Sequence, residues 1–105
     1  MAFQNCLRGS ILTIDLDAIA DNYRILRETA NPTKVAAVVK ANAYGLGADK
    51  IAPLLQNSGC NIFFVATLDE AVQLRSILPH AEIHVFNGIL PGWPEVMIEH
   101  RLRPV

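Results

Sequence analysis

Lys40 ends the apolar run Val38-Val39-Lys40, and the chain then passes at once into Ala-Asn-Ala-Tyr-Gly-Leu-Gly, which sets an amine, the phenol of Tyr44 and two glycines side by side. A primary amine there can form a Schiff base with an aldehyde. Glycine N–H groups ahead of a helix N-terminus can receive a phosphate, and the Tyr44 hydroxyl adds a further donor. Pyridoxal phosphate chemistry needs this combination, because the amine takes the aldehyde while the phosphate is anchored separately. On position alone the plainer account of Lys40 is a lysine snorkelling to solvent at the end of a strand, and that of the glycine pair is a turn leading into a helix. Neither G-x-x-x-x-G-K-[ST] nor G-x-G-x-x-G is present, so the segment is not a nucleotide-phosphate loop.

Other reactive residue types carry less. His80 and His84 have the i, i+4 spacing of metal ligands on a helix, but Ile83, Val85 and Phe86 mark a strand. On a strand that spacing spreads the side chains by about 13 Å, so no metal site is expected. Asp15 and Asp17 read as a strand-end carboxylate and a helix cap rather than a catalytic pair, with Asp17 as the cap. Cys6 and Cys60 have no nearby ligand partners and read as reduced structural thiols. Trp93 sits in a turn, where it can serve as a packing anchor or an interface residue.

The elements that position Lys40 emerge from periodicity. "ILTIDLD" alternates and predicts a strand from about Ile11 to Asp15, followed by a helix with Ile19, Tyr23, Leu26 and Ala30 on one face and a stop at Asn31-Pro32. "KVAAVVK" is apolar almost throughout, as in a parallel strand covered on both faces. "GADKIAPLLQNSG" predicts a helix with Pro53 near its first turn and Gly59 at its end. "NIFFVA" is the next strand. In "TLDEAVQLRSILP" Thr67 and Glu70 have the spacing of a capping box ahead of a buried stripe of Ala71, Leu74 and Leu78. "EIHVFNG" is another strand, Pro94 suits the start of a helix running to about His100, and "RLRPV" begins one more strand.

Strand and helix thus alternate throughout, which argues for a parallel α/β sheet. A full eight-stranded barrel needs about 250 residues, with 200 near the lower limit, so the 105 residues are expected to be either a small open α/β domain or part of a larger one. With 51% hydrophobic and 18% charged residues the composition is that of an ordinary globular protein. The net charge is -1 and no cluster of Lys and Arg stands out, so neither nucleic acid nor a membrane surface is an expected partner. The first residues hold only a short apolar run, Ile11 to Ile14, and a cytoplasmic location is expected.

"AVVKANAYGLG" resembles the cofactor-attachment signature of alanine racemases, and the likeness extends through "TIDLDAIADNYR", "FFVATLDEAVQLR", "LPG" and "LRPV". The resemblance implies the first three to four β-α units, plus an N-terminal strand, of a (β/α)8 barrel that binds pyridoxal 5'-phosphate, with a C-terminal β domain absent from these 105 residues. It implies that Lys40 is the Schiff-base lysine and one-face proton carrier, that Tyr44 contacts the phosphate, and that Val38 lines the cofactor pocket. It implies an amino-acid substrate, alanine, and a homodimeric parent enzyme. The opposite-face acid-base group would be a tyrosine of the C-terminal domain, so the 105 residues alone are expected to lack racemase activity and to self-associate. Leu46 departs from the histidine that many members carry there. A barrel decarboxylase with Lys-Ala-Asn and a non-catalytic α/β segment are the alternatives.

Overall fold

The computed structural model describes residues 9–105. Cys6 lies outside them. Helix α1 (Leu16–Ala30) precedes β1 (Ala37–Val38), a short helical turn (Lys40–Tyr44) and α2 (Ala48–Asn57). Then come β2 (Ile62–Val65), α3 (Leu68–Ile77), β3 (Glu82–Val85), α4 (Trp93–Glu99) and β4 (Leu102–Pro104). The strands form one sheet in the order β1-β2-β3-β4, every neighbouring pair parallel.

Burial shows where the helices lie. Phe63, Val65, Ile83 and Val85 are each at most 1% exposed and pack in one cluster with Leu55, Ala71, Leu74 and Met97 of the helices. Burying a side chain of that size contributes roughly 1.5–3 kcal/mol, so this face holds the fold together. The alternate residues Val38, Phe64, His84 and Phe86 point to the other face, where no helix of the described residues covers them, and Val38 and Phe86 are both 40% exposed. The sheet is therefore wound with its helices on one side, as in a segment of a (β/α)8 barrel, rather than covered on both sides as in a doubly wound fold. The expectation that the "KVAAVVK" strand is covered on both faces fails for the inner face, since four strands do not close round it.

Local chemistry sets the element ends. The Asp15 carboxylate accepts from the Ala18 N–H at 3.0 Å, so Asp15 is the cap of α1 and Asp17 falls in its first turn, two positions from the expected arrangement. The cap must have extended backbone, and Asp15 has it (φ -93°, ψ 99°). The predicted N-terminal strand, Ile11 to Asp15, is not a strand and pairs with none of the four, and Ile11 and Leu12 are exposed. Alternation marks a face, but a strand also needs a neighbour for its backbone groups. Leu26, expected on the buried stripe of α1, is exposed, because only Tyr23 and part of Ile19 reach the core. Pro53 lies inside α2 beyond the first turn, where it forgoes one helical hydrogen bond. Gly59 ends that helix with φ +107°, and Thr67 and Glu70 form the expected capping box at the start of α3.

Arg75 is a buried hub that composition does not announce. Its guanidinium donates to five backbone carbonyls: His100 (2.8 Å), Leu78 (3.1 Å), Pro79 (3.2 Å), Ala81 (2.6 Å) and Arg101 (2.9 Å). It ties the end of α3 to the starts of β3 and β4. Among the described residues no helix is long and apolar enough to cross a membrane.

Candidate active site

Lys40 follows β1 at its carboxyl end, the edge at which α/β folds build their sites. Val39 is 3% exposed and faces the helices, and its N–H donates to the Phe64 carbonyl at 2.9 Å. Its neighbours Val38 and Lys40 turn to the inner face. The Lys40 amine stands 6.0 Å from the Tyr44 ring centroid and 5.9 Å from that of Phe86, at the outer limit of cation–π attraction. Phe86 in turn stacks on Phe64 at 5.1 Å, and Phe64 is the register partner of Val38. The Lys40 amine thus has the Tyr44 and Phe86 rings near it on the inner face, the face to which Val38 also turns. Among the described residues no carboxylate forms an ion pair with Lys40.

The turn that carries the amine is left-handed. Ala41, Asn42, Ala43 and Tyr44 have φ of 52°, 54°, 55° and 56°. For L-residues that conformation costs roughly 1–2 kcal/mol each, so the surroundings must hold it. Part of the hold is internal: Ala43 N–H donates to Val39 O (3.0 Å), Gly45 N–H to Ala41 O (2.9 Å), Leu46 N–H to Ala43 O (3.1 Å) and Gly47 N–H to Asn42 O (2.9 Å). Gly45 (φ +86°) then ends the turn, as a residue without a Cβ can. The Asn42 side chain accepts from the Ala48 N–H at 2.9 Å and so fixes the start of α2 to the turn.

These bonds correct one expectation. The N–H groups of Gly45, Leu46, Gly47 and Ala48 all have partners within the segment, so the Gly-Leu-Gly loop is not a cradle of unused donors for a phosphate. The Tyr44 side chain, 63% exposed, is a donor that this segment offers.

Glu70 joins the turn to α3. One carboxylate oxygen accepts from the N–H groups of Ala66 (2.8 Å) and Thr67 (3.0 Å), and the other accepts from the Ala41 N–H at 2.6 Å. Burial pushes its pKa up, but these backbone donors and the Thr67 side chain outweigh that and hold it below the usual glutamate value. Deeper along the inner face, His84 binds Glu82 at 2.9 Å and stacks on Phe64 at 4.4 Å, while Arg103 pairs with the other Glu82 oxygen at 2.8 Å. The His84 hydrogen bond, opposed by burial and aided by Arg103, keeps Glu82 below its ordinary value. His84 is thereby engaged in a stacked, hydrogen-bonded row.

Sequence reasoning names Lys40, Tyr44 and Val38, and does not name the neighbours that the structure sets near them: Phe86, Asn42 and the second reach of Glu70. The alternation of "EIHVF" could have placed Phe86 on the inner face with His84. Nothing in the sequence gives the left hand of the turn, on which the roles of Asn42 and Glu70 depend.

The sequence model of the family described as alanine racemase, N-terminal domain, matches residues 14–105. The alanine racemase of Acidiphilium cryptum is 54% identical over 94 residues, a match that covers 90% of this chain and 26% of that protein. That of Brucella ovis is 48% identical over 98 residues, covering 92% of this chain and 25% of the relative. In three dimensions the chain superposes on the Bartonella henselae alanine racemase with covalently bound pyridoxal phosphate at a TM-score of 0.83 and 48% identity, covering 87% of this chain and 27% of that one. The chain spans about a quarter of the length of these relatives. With an amine on the carboxyl edge of a one-sided parallel sheet and a family match over nearly its whole length, the chain belongs to the alanine racemase N-terminal domain family.

Proposed function

We propose that this chain is the cofactor-anchoring N-terminal part of the barrel domain of a pyridoxal 5'-phosphate-dependent alanine racemase. That enzyme interconverts L-alanine and D-alanine, supplies D-alanine for bacterial cell-wall peptidoglycan, and works in the cytoplasm as a homodimer. The observation that carries the reading is the Lys40 amine, set at the carboxyl edge of β1 between the rings of Tyr44 and Phe86. The Bartonella henselae relative, with its covalently bound pyridoxal phosphate, supports it.

The residues present fit the group. An aldehyde cofactor needs an amine that is reachable and not committed to a carboxylate, and Lys40 is partly exposed and outside the ion pairs of the described residues. When bound, pyridoxal phosphate withdraws the electrons left on the α-carbon as its proton departs. Lys40 Nζ would hold the cofactor through its aldehyde group and, once free, would take or return the α-proton on one face. The Tyr44 hydroxyl would donate to the phosphate. Val38 and Phe86 would supply apolar walls beside the bound group.

The test is incubation of the chain with pyridoxal 5'-phosphate, borohydride reduction and peptide mapping. The expected label is confined to Lys40 and is lost in Lys40→Ala. Labelling spread evenly over Lys34, Lys40 and Lys50 would show ordinary amine reactivity and defeat the reading.

A further inference from the structure

We propose that Glu70 is a positioning residue for Lys40: from the first turn of α3 its carboxylate holds the Ala41 N–H and so locks the left-handed turn that aims the amine. The inference rests on the reading of Lys40 as the cofactor amine.

A capping box needs only one oxygen of its glutamate. In this chain Glu70 Oε1 fulfils that role on the Thr67 N–H and also takes the Ala66 N–H. Oε2 is left over, and it reaches across to the Ala41 N–H at 2.6 Å, the shortest of the three bonds. The donor it finds is one that the turn cannot satisfy itself, because the turn's own bonds begin with Ala43 N–H to Val39 O. The Ala41 N–H belongs to the peptide that leaves the Lys40 Cα. Fixing that N–H fixes the plane of the peptide, hence the backbone angle of Lys40 from which the side chain departs.

Apolar packing anchors the turn at Val39 and Ala43, 3% and 4% exposed, but not at Ala41, which is exposed. Behind the turn, on the helix side of β1, lies a cavity of about 660 Å³ lined by Val39, Ala41, Asn42, Glu70 and Leu74 among others. Ala41 borders this open space, so packing on that side does not fix its backbone. The carboxylate bond crosses the rim of this cavity. Charge-assisted bonds of this kind are the stronger class, and one placed on a strained segment selects its conformation.

The alternative is that Glu70 matters only as the cap of α3. Two substitutions in the full chain separate these roles. Glu70→Gln keeps one oxygen for the cap, but its amide NH2 cannot accept from Ala41. Thr67→Ala weakens the cap and leaves the Ala41 bond intact. Two readouts are followed: exchange of the Ala41 amide by NMR, and the selectivity of pyridoxal phosphate–borohydride labelling for Lys40 over Lys34 and Lys50.

The expected result is that Glu70→Gln speeds Ala41 exchange and lowers the labelling selectivity, each by about tenfold or more, the scale of a lost hydrogen bond to a charged group. Thr67→Ala should leave both within about twofold of the parent, even where it lowers the melting temperature as much. Equal effects of the two substitutions on Ala41 exchange would overturn the proposal. An Ala41 amide that exchanges freely in the parent chain would overturn it too, without any variant having to fold. If Lys40 is not selectively labelled in the parent, it is the cofactor reading that falls, and the Ala41 exchange still decides whether Glu70 holds the turn.

Discussion

Lys40 owes its direction to residues that sequence reading treats as filler. The apolar run and the position before Tyr44 and the glycines make the lysine itself legible, because a strand that must leave the core brings its last residue to the sheet edge. The handedness of the turn from Ala41 to Tyr44 is not legible: Ala41, Ala43 and Tyr44 are residue types that ordinarily avoid positive φ, and only Asn42 tolerates it. Glu70 is half legible, since its capping spacing is local while its reach to Ala41 depends on how β1 and α3 meet. Strain at this turn has a direct consequence. Ala41 is exposed with φ 52°, so Ala41→Gly should relieve the left-handed penalty while giving up little packing. The expected gain is about 0.5–1 kcal/mol after the extra entropy of glycine in the unfolded chain is subtracted, seen as a higher urea midpoint. A lower midpoint would mean that position 41 is not strained.

At the scale of elements, periodicity locates the helices and the sheet strands because each has a face that must be buried. It fails where the deciding partner lies elsewhere in the chain. Ile11 to Asp15 has the alternation of a strand but no neighbouring strand among the described residues, and α1 begins at the aspartate whose backbone is extended rather than the one nearer its apolar stripe. Arg75 is the clearest case. An arginine inside an amphipathic helix reads as a solvated residue, yet it is 7% exposed and bound to five carbonyls from the end of α3 and the starts of β3 and β4. Burial, with the nearby Arg101 charge, lowers its pKa, and no acid partners it among the described ion pairs. Its hold is therefore geometric, through a rigid fork of donors. Lysine has three donors on one atom and cannot span that set. Arg75→Lys should cost roughly 2–4 kcal/mol in denaturant unfolding, because carbonyls are left unsatisfied in the interior. A loss below about 0.5 kcal/mol, the range of ordinary surface changes, would show that the carbonyls find other partners.

For the molecule as a whole, the same one-sided winding that sets Lys40 on an open edge leaves surfaces that four strands cannot cover. The helix face is closed by Phe63, Val65, Ile83, Val85 and their partners, while the inner face presents Val38 and Phe86, each 40% exposed, beside Phe64. Among the described residues, the strands at the two ends of the sheet, β1 and β4, each have one side without a strand partner. A closed barrel would remove both edges and fill its interior with inward side chains, and the solved relative that this chain superposes on is almost four times as long as the part it matches, 27% of that protein. The row of Glu82, His84 and Arg103 keeps part of the inner face polar, so the apolar portion is concentrated toward the carboxyl edge, next to Lys40. Such a surface, with unpaired backbone donors and acceptors at its margins, favours association. The purified 105-residue chain is therefore expected to run above the mass of one chain in light scattering, and Phe86→Lys should shift it toward the monomer by placing a charge on the exposed patch. A parent chain that scatters as a monomer would show that its open face and edges are covered from within.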